Sequence, residues 1–140
     1  MVKEADKKVV EDKGVPPYEK KITGRILVVD DEEVILSLLS EVIGSFGFEV
    51  DTSITAKTAL EKVNEKGYDL IISDFKMPEM SGDRLFAEII KTNPSYRGKI
   101  VFITGDILNP ETQRFLKETG SLCLPKPFKI EEIKEFISLL

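Results

Sequence analysis

The chain of 140 residues contains no histidine at all. That absence removes histidine acid–base catalysis, Ser-His and Cys-His nucleophile pairs, and every metal site built on imidazole. Any phosphohistidine chemistry must use a partner's histidine. Tryptophan is also absent, and the one cysteine, Cys123, excludes an internal disulfide and fits a reducing cytoplasm. Cys123 lies between leucines in SLCLP, a setting that favours a small packed thiol in a strand over a reactive one. No apolar run approaches the ~18 residues of a membrane helix. The charged N-terminus lacks the apolar core of a signal peptide. Positive charge is in deficit: the net charge is −5. A net anion is not drawn to nucleic acid or to anionic membranes, so neither is expected as a partner.

What remains is an ordinary globular composition, 41% hydrophobic and 32% charged, of a length that fits one domain with a normal core. Residues 1–23 read as a polar tail or linker, charged and sparsely apolar with a Pro-Pro pair; a short helix over residues 3–12 is the most it could form. From residue 24 to 140 strand and helix patterns alternate. RILVV is a valine-rich run of the kind covered on both faces. A first helix follows, with Ile35, Leu38, Leu39, Val42 and Phe46 on one stripe and Gly47 at its end. FEVDTS is a weaker second strand, and the next helix carries Ala56, Ala59, Leu60 and Val63 before Gly67. DLIIS is the third strand, leading to a helix that turns Leu85, Phe86, Ile89 and Ile90 inward. KIVFIT is the fourth strand; a helix from Pro110 to Gly120 follows it, by the rule of proline at helix starts and glycine at helix ends. SLCL is a short fifth strand, and Ile130, Ile133, Ile137 and Leu140 mark the last helix. Regular strand–helix alternation implies an α/β fold of three layers: a doubly wound, five-stranded parallel sheet with helices on both faces.

In such sheets functional groups collect beyond the carboxyl ends of the strands. In the flavodoxin-like order 2-1-3-4-5, strands 1 and 3 are neighbours. Asp30 and Asp31 after strand 1 then share a crevice with Asp74 at the end of strand 3, while Thr104 and Lys126 stand at the ends of strands 4 and 5. Carboxylates at such distances repel, so one protonates or a cation binds. Oxygen ligands without His or Cys favour Mg²⁺. A hard cation, a free carboxylate, a hydroxyl and an ammonium together suit phosphoryl transfer, with the carboxylate as nucleophile. Glu32 and Glu33 are assigned to helix-start electrostatics and solvent, and one of the preceding aspartates to a helix cap as well.

VVDDEE, DLIISDFKMPEMSG, IVFITGD and LPKPF occur in order, one at each of four strand ends. With these motifs the sequence resembles the receiver domain of two-component response regulators over residues 25–140. The resemblance implies that Asp74 is the phosphoacceptor and that Asp30, Asp31, Asp74 and the backbone carbonyl of Lys76 hold Mg²⁺. It implies that Thr104 is the switch hydroxyl, that Lys126 pairs with the phosphoryl group, and that Lys126-Pro127 is the family's cis peptide. It implies too that side chains at Lys76 and Asp106 tune the phosphoryl lifetime. The family often has an aromatic residue three positions before the lysine; Cys123 stands there instead, so less signalling through an aromatic switch is expected.

The implied function is a non-enzymatic, cytoplasmic signalling domain. Its phosphoryl donor would be a histidine kinase or phosphotransfer protein, and its output a downstream protein target. The chain ends soon after the last helix, so no output domain is expected within it. The tail resembles the linker before receivers of hybrid histidine kinases, which makes a phosphorelay intermediate the alternative. An aspartyl-phosphate phosphatase of the haloacid dehalogenase type is disfavoured, because Lys76 occupies the position where that family has a second acid. GxGxxG and P-loop patterns are both missing, which disfavours nucleotide binding.

Overall fold

The structure, a computed structural model, describes residues 24–138. The tail, the short helix expected within it and Leu140 lie outside the described residues. Five strands alternate with five helices: β1 Arg25–Val29, α1 Glu33–Gly44, β2 Glu49–Ser53, α2 Ala56–Glu65, β3 Leu70–Asp74, α3 Gly82–Thr92, β4 Ile100–Thr104, α4 Pro110–Thr119, β5 Cys123–Pro125 and α5 Ile130–Ser138. A 3-10 turn, Pro94–Tyr96, sits between α3 and β4.

The strands form one parallel sheet in the order β2-β1-β3-β4-β5. Alternation along the central strands divides the core in two. Leu27, Val29 and Ile71 face α2 and α3, where they meet Ala59, Leu85, Phe86 and Ile89; Ile26, Val28 and Ile72 face α1 and α5, where they meet Leu39, Ile43, Ile133 and Phe136. Burial on both faces explains why β1, β3 and β4 are continuous apolar runs in the sequence. β2 is an edge strand with only Ser53 buried, which explains its weaker signal.

Several helix details differ from expectation. α1 ends at Gly44, and tight backbone bonds from Phe46 to Ile43 and from Gly47 to Gly44 carry the chain to Gly47, whose φ of +101° reverses it into β2. The buried stripe of α1 is Leu36, Leu39, Val42 and Ile43, so Ile35, Leu38 and Phe46 pack at its margin. In α5, Ile133, Phe136 and Ile137 are buried, whereas Ile130 is 46% exposed at the first turn. β5 begins at Cys123 rather than Ser121.

Candidate functional site

The sheet brings the selected side chains to one edge. Asp30 directly follows β1 and extends its pairing, its N–H donating to the Ser53 carbonyl at 3.1 Å. Asp74 closes β3 opposite Ile103, Thr104 closes β4, and the Lys126 N–H donates to the Thr104 carbonyl at 2.8 Å just after β5. Asp30, Asp74 and Thr104 are buried, at 1%, 6% and 0% exposure, while Asp31 is exposed. Asp31, Asp74, Lys76, Gly105, Asp106 and Lys126 line one crevice.

Oxygens of Asp30, Asp31 and Asp74 lie within 4.8 Å of one another. Burial pushes the Asp74 carboxyl up to about 6, and the Asp30 charge adds to the rise. Asp30 is raised as well, again chiefly by burial. Both groups resist ionisation together, and a cation relieves that strain better than a lone lysine can. The donor set is three hard oxygens with no sulfur or imidazole, open on one side to water, which fits Mg²⁺.

The ammonium of Lys126 lies 3.1 Å from Asp30 Oδ2, 3.1 Å from Glu32 Oε1 and 3.5 Å from Asp74 Oδ2. Burial alone would lower its pKa, but the carboxylates outweigh that and raise it, so the lysine stays charged. The Lys126–Pro127 bond is cis. The Thr104 hydroxyl accepts from the Asp106 N–H at 3.0 Å, which leaves its own proton to donate elsewhere. Across the mouth of the crevice Lys76 Nζ meets Asp106 Oδ2 at 3.2 Å. Cys123 is half-buried, and burial pushes its thiol up to about 11, so it is the packed thiol its sequence setting implied.

Three features escaped the sequence. Lys76 and Asp106 are singled out by the resemblance one by one, as side chains that tune the phosphoryl lifetime, yet they form an ion pair joining two strand-end loops. Glu32, assigned to the helix dipole, turns to Lys126 instead; the available clue was a glutamate at a helix N-cap, where shorter polar side chains are the effective caps. Gly82 opens α3 so close to β3 that an added Cβ would stand 2.9 Å from both the Asp74 carbonyl oxygen and the Phe75 Cα. As for the helix cap, Asp30 Oδ1 accepts from the Glu32 N–H at 2.9 Å just ahead of α1.

An open parallel sheet of this order, with acids, a hydroxyl and a lysine at its switch point, defines the class of α/β signalling domains. The chain belongs to the response regulator receiver domain family, whose sequence pattern matches residues 26–138. It is similar to the sensor histidine kinase RcsC of Escherichia coli, 32% identical over 114 residues that make up 81% of this chain and 12% of that protein. It is likewise similar to the probable chemotaxis protein CheY of Rhizobium etli, 31% identical over 81% of this chain and 88% of the relative. The chain therefore spans about an eighth of the length of the kinase but most of the small chemotaxis protein. Among solved structures, chemotaxis protein CheY4 of Vibrio cholerae superposes with a TM-score of 0.75 at 28% identity, covering 84% of this chain and 98% of that one. The beryllofluoride-activated NtrC4 receiver domain dimer gives a TM-score of 0.73 at 32% identity, covering 82% and 93%. Among the described residues no helix is long and apolar enough to cross a membrane.

Proposed function

We propose that this chain accepts a phosphoryl group from a partner's phosphohistidine onto Asp74 and relays the change to a protein partner. The observation that carries this is the convergence of Asp74 with Asp30, Asp31 and Lys126 at the switch point, with Asp30 and Asp74 buried, Lys126 half-buried and Asp31 open to water. A carboxylate oxygen of Asp74 attacks phosphorus, the P–N bond to the donor imidazole breaks, and the ring leaves neutral with the proton on its other nitrogen. The product is an acyl phosphate. Asp30, Asp31 and Asp74, with the backbone carbonyl of Lys76, would hold Mg²⁺. When bound, the cation offsets negative charge on carboxylates and phosphoryl oxygens. Lys126 offers a second positive charge from the opposite wall, and Thr104 a hydroxyl proton for a phosphoryl oxygen.

Lys76 and Asp106 shape the mouth through which water reaches the acyl phosphate. Cys123 replaces an aromatic side chain on β5, so switching runs through Thr104 and α4 without a β5 aromatic rotamer. Similarity to kinase-borne sequences, among them a protein named hybrid signal transduction histidine kinase L from Dictyostelium discoideum, 30% identical over 123 residues, favours a second reading as a relay intermediate. Both readings share one test. Mixed with a ³²P-labelled phosphohistidine phosphotransfer protein and Mg²⁺, the chain gains label that hydroxylamine removes, as an acyl phosphate requires. Label that resists hydroxylamine would contradict both.

A further inference from the structure

Lys126 has more acceptors than a phosphoryl-binding lysine needs. Two of them, Asp30 and Asp74, belong to the carboxylate set that fits a divalent ion. The third, Glu32, does not belong to that set, yet its Oε1 stands as close to the ammonium as Asp30 Oδ2, both at 3.1 Å. Glu32 is the N-cap residue of α1, but its side chain makes no capping hydrogen bond. Its carboxylate reaches instead across to the loop after β5, 94 residues along the chain. The lysine head is largely enclosed, with the side chain 17% exposed, while the Glu32 side chain is 62% exposed. The ammonium is thus drawn from the crevice floor toward its rim.

An ammonium resting fully on Asp30 and Asp74 opposes any cation that needs the same oxygens. A third acceptor outside the metal set divides the lysine between floor and rim and weakens that opposition. We propose that Glu32 is a positioning residue for Lys126: it holds the ammonium at the rim, so that a divalent ion can take the aspartates and the lysine stays free to move onto a phosphoryl group. This rests on the phosphoacceptor reading of Asp74. It gives Glu32 a role in loading the site without making it a metal ligand.

Removing Glu32 also removes a nearby negative charge, which by itself weakens cation binding, so the test must separate contact from charge. Mg²⁺ affinity is measured by calorimetry on the unphosphorylated wild type, Glu32→Gln, Glu32→Asp and Glu33→Gln, and on Glu32→Gln in a Lys126→Met background. Glu32→Gln is expected to weaken Mg²⁺ binding about twofold to fivefold, the scale of a partly exposed ion pair. Glu32→Asp keeps the charge but shortens the reach, and is expected to lie with Glu32→Gln. Glu33→Gln, which removes an equal charge one residue further along, is expected to stay near wild type. In the Lys126→Met background the effect of Glu32→Gln is expected to vanish, the signature of a pairwise contact. An effect that persists there, or equal losses in Glu32→Gln and Glu33→Gln, would reduce Glu32 to a through-space charge and overturn the proposal. Wild-type behaviour of Glu32→Asp would do the same, and it decides the matter if Lys126→Met does not fold. Acetyl phosphate labelling of the same proteins keeps the two ideas apart. Labelled wild type with unchanged Mg²⁺ affinity in the Glu32 variants sinks the role of Glu32 alone, whereas an unlabelled wild type sinks the phosphoacceptor reading whatever the titrations give.

Discussion

At the scale of the residue, the central fact is a buried carboxyl held away from its ordinary ionisation. Burial pushes Asp74 up to about 6, well above the usual carboxylate range. A raised folded pKa means that the stability from protonating Asp74 is complete below about 3.8 and is lost as pH rises through about 6. Asp74→Asn, which carries no charge at any pH, should therefore match the metal-free wild type near pH 4 and exceed it at pH 7. A difference of about 1 kcal/mol would shift the melting temperature by roughly 3–6 °C in a domain of this size. Thermal melts across that range in chelator check it, and Mg²⁺ should stabilise the wild type more than the variant at pH 7. The second residue-scale expectation concerns the crevice mouth. Breaking the Lys76–Asp106 pair by Lys76→Ala or Asp106→Ala should shorten the acyl-phosphate lifetime about twofold to fivefold, the range a partly exposed ion pair allows. Mg²⁺ affinity should hold in both, because the Lys76 backbone carbonyl survives the change. Decay assays and calorimetry on the same samples test the pair.

At the scale of the element, position is set by how closely α3 approaches β3. The Gly82 N–H donates to the Phe75 carbonyl at 2.7 Å, and the helix then buries Leu85, Phe86 and Ile89 against the sheet. Gly82→Ala would push a methyl into the Asp74 carbonyl, the Phe75 Cα and the Phe102 ring, so a loss of about 1–3 kcal/mol by chemical denaturation is expected, with slower phosphorylation of the displaced Asp74. Phe75, next to Asp74, packs edge-on to Phe102 and also touches Phe115 of α4, at centroid distances of 5.4 Å in both cases. α4 buries only Thr112 fully and rests otherwise on the half-buried Phe115 and Leu116. The strand that ends in Asp74 is therefore in aromatic contact with the helix least anchored to the core, even with Cys123 in place of a β5 aromatic. Elements of this kind were legible because their signals are local: apolar strand runs, Pro110 at the start of α4, Gly120 after it. The exact faces were not. In α1, Leu36 and Ile43 are buried beside Ile35 and Leu38 at the margin, because five apolar residues in eight give a stripe too broad to locate its centre. In α5, Ile130 fits the period but opens the first turn and stays half-exposed.

At the scale of the whole molecule, parallel pairing converts distance in sequence into proximity. Asp30, Asp74, Thr104 and Lys126 are spread over 97 positions, and only the order β2-β1-β3-β4-β5 gathers them. That much could be read from the sequence, because Asp30, Asp74, Thr104 and Lys126 each stand at or just past the carboxyl end of a strand, and the switch-point rule says where strand ends meet. Pairings across the crevice could not, since Lys76–Asp106 and Glu32–Lys126 depend on side-chain reach between loops. The most direct measurement is the intact mass of the chain after incubation with acetyl phosphate and Mg²⁺, beside Asp74→Ala treated identically. A single adduct of about 80 Da on the wild type, the mass of one phosphoryl group, and none on the variant is the expected result. Equal labelling of both proteins, or labelling of neither, would contradict the assignment of Asp74 as phosphoacceptor.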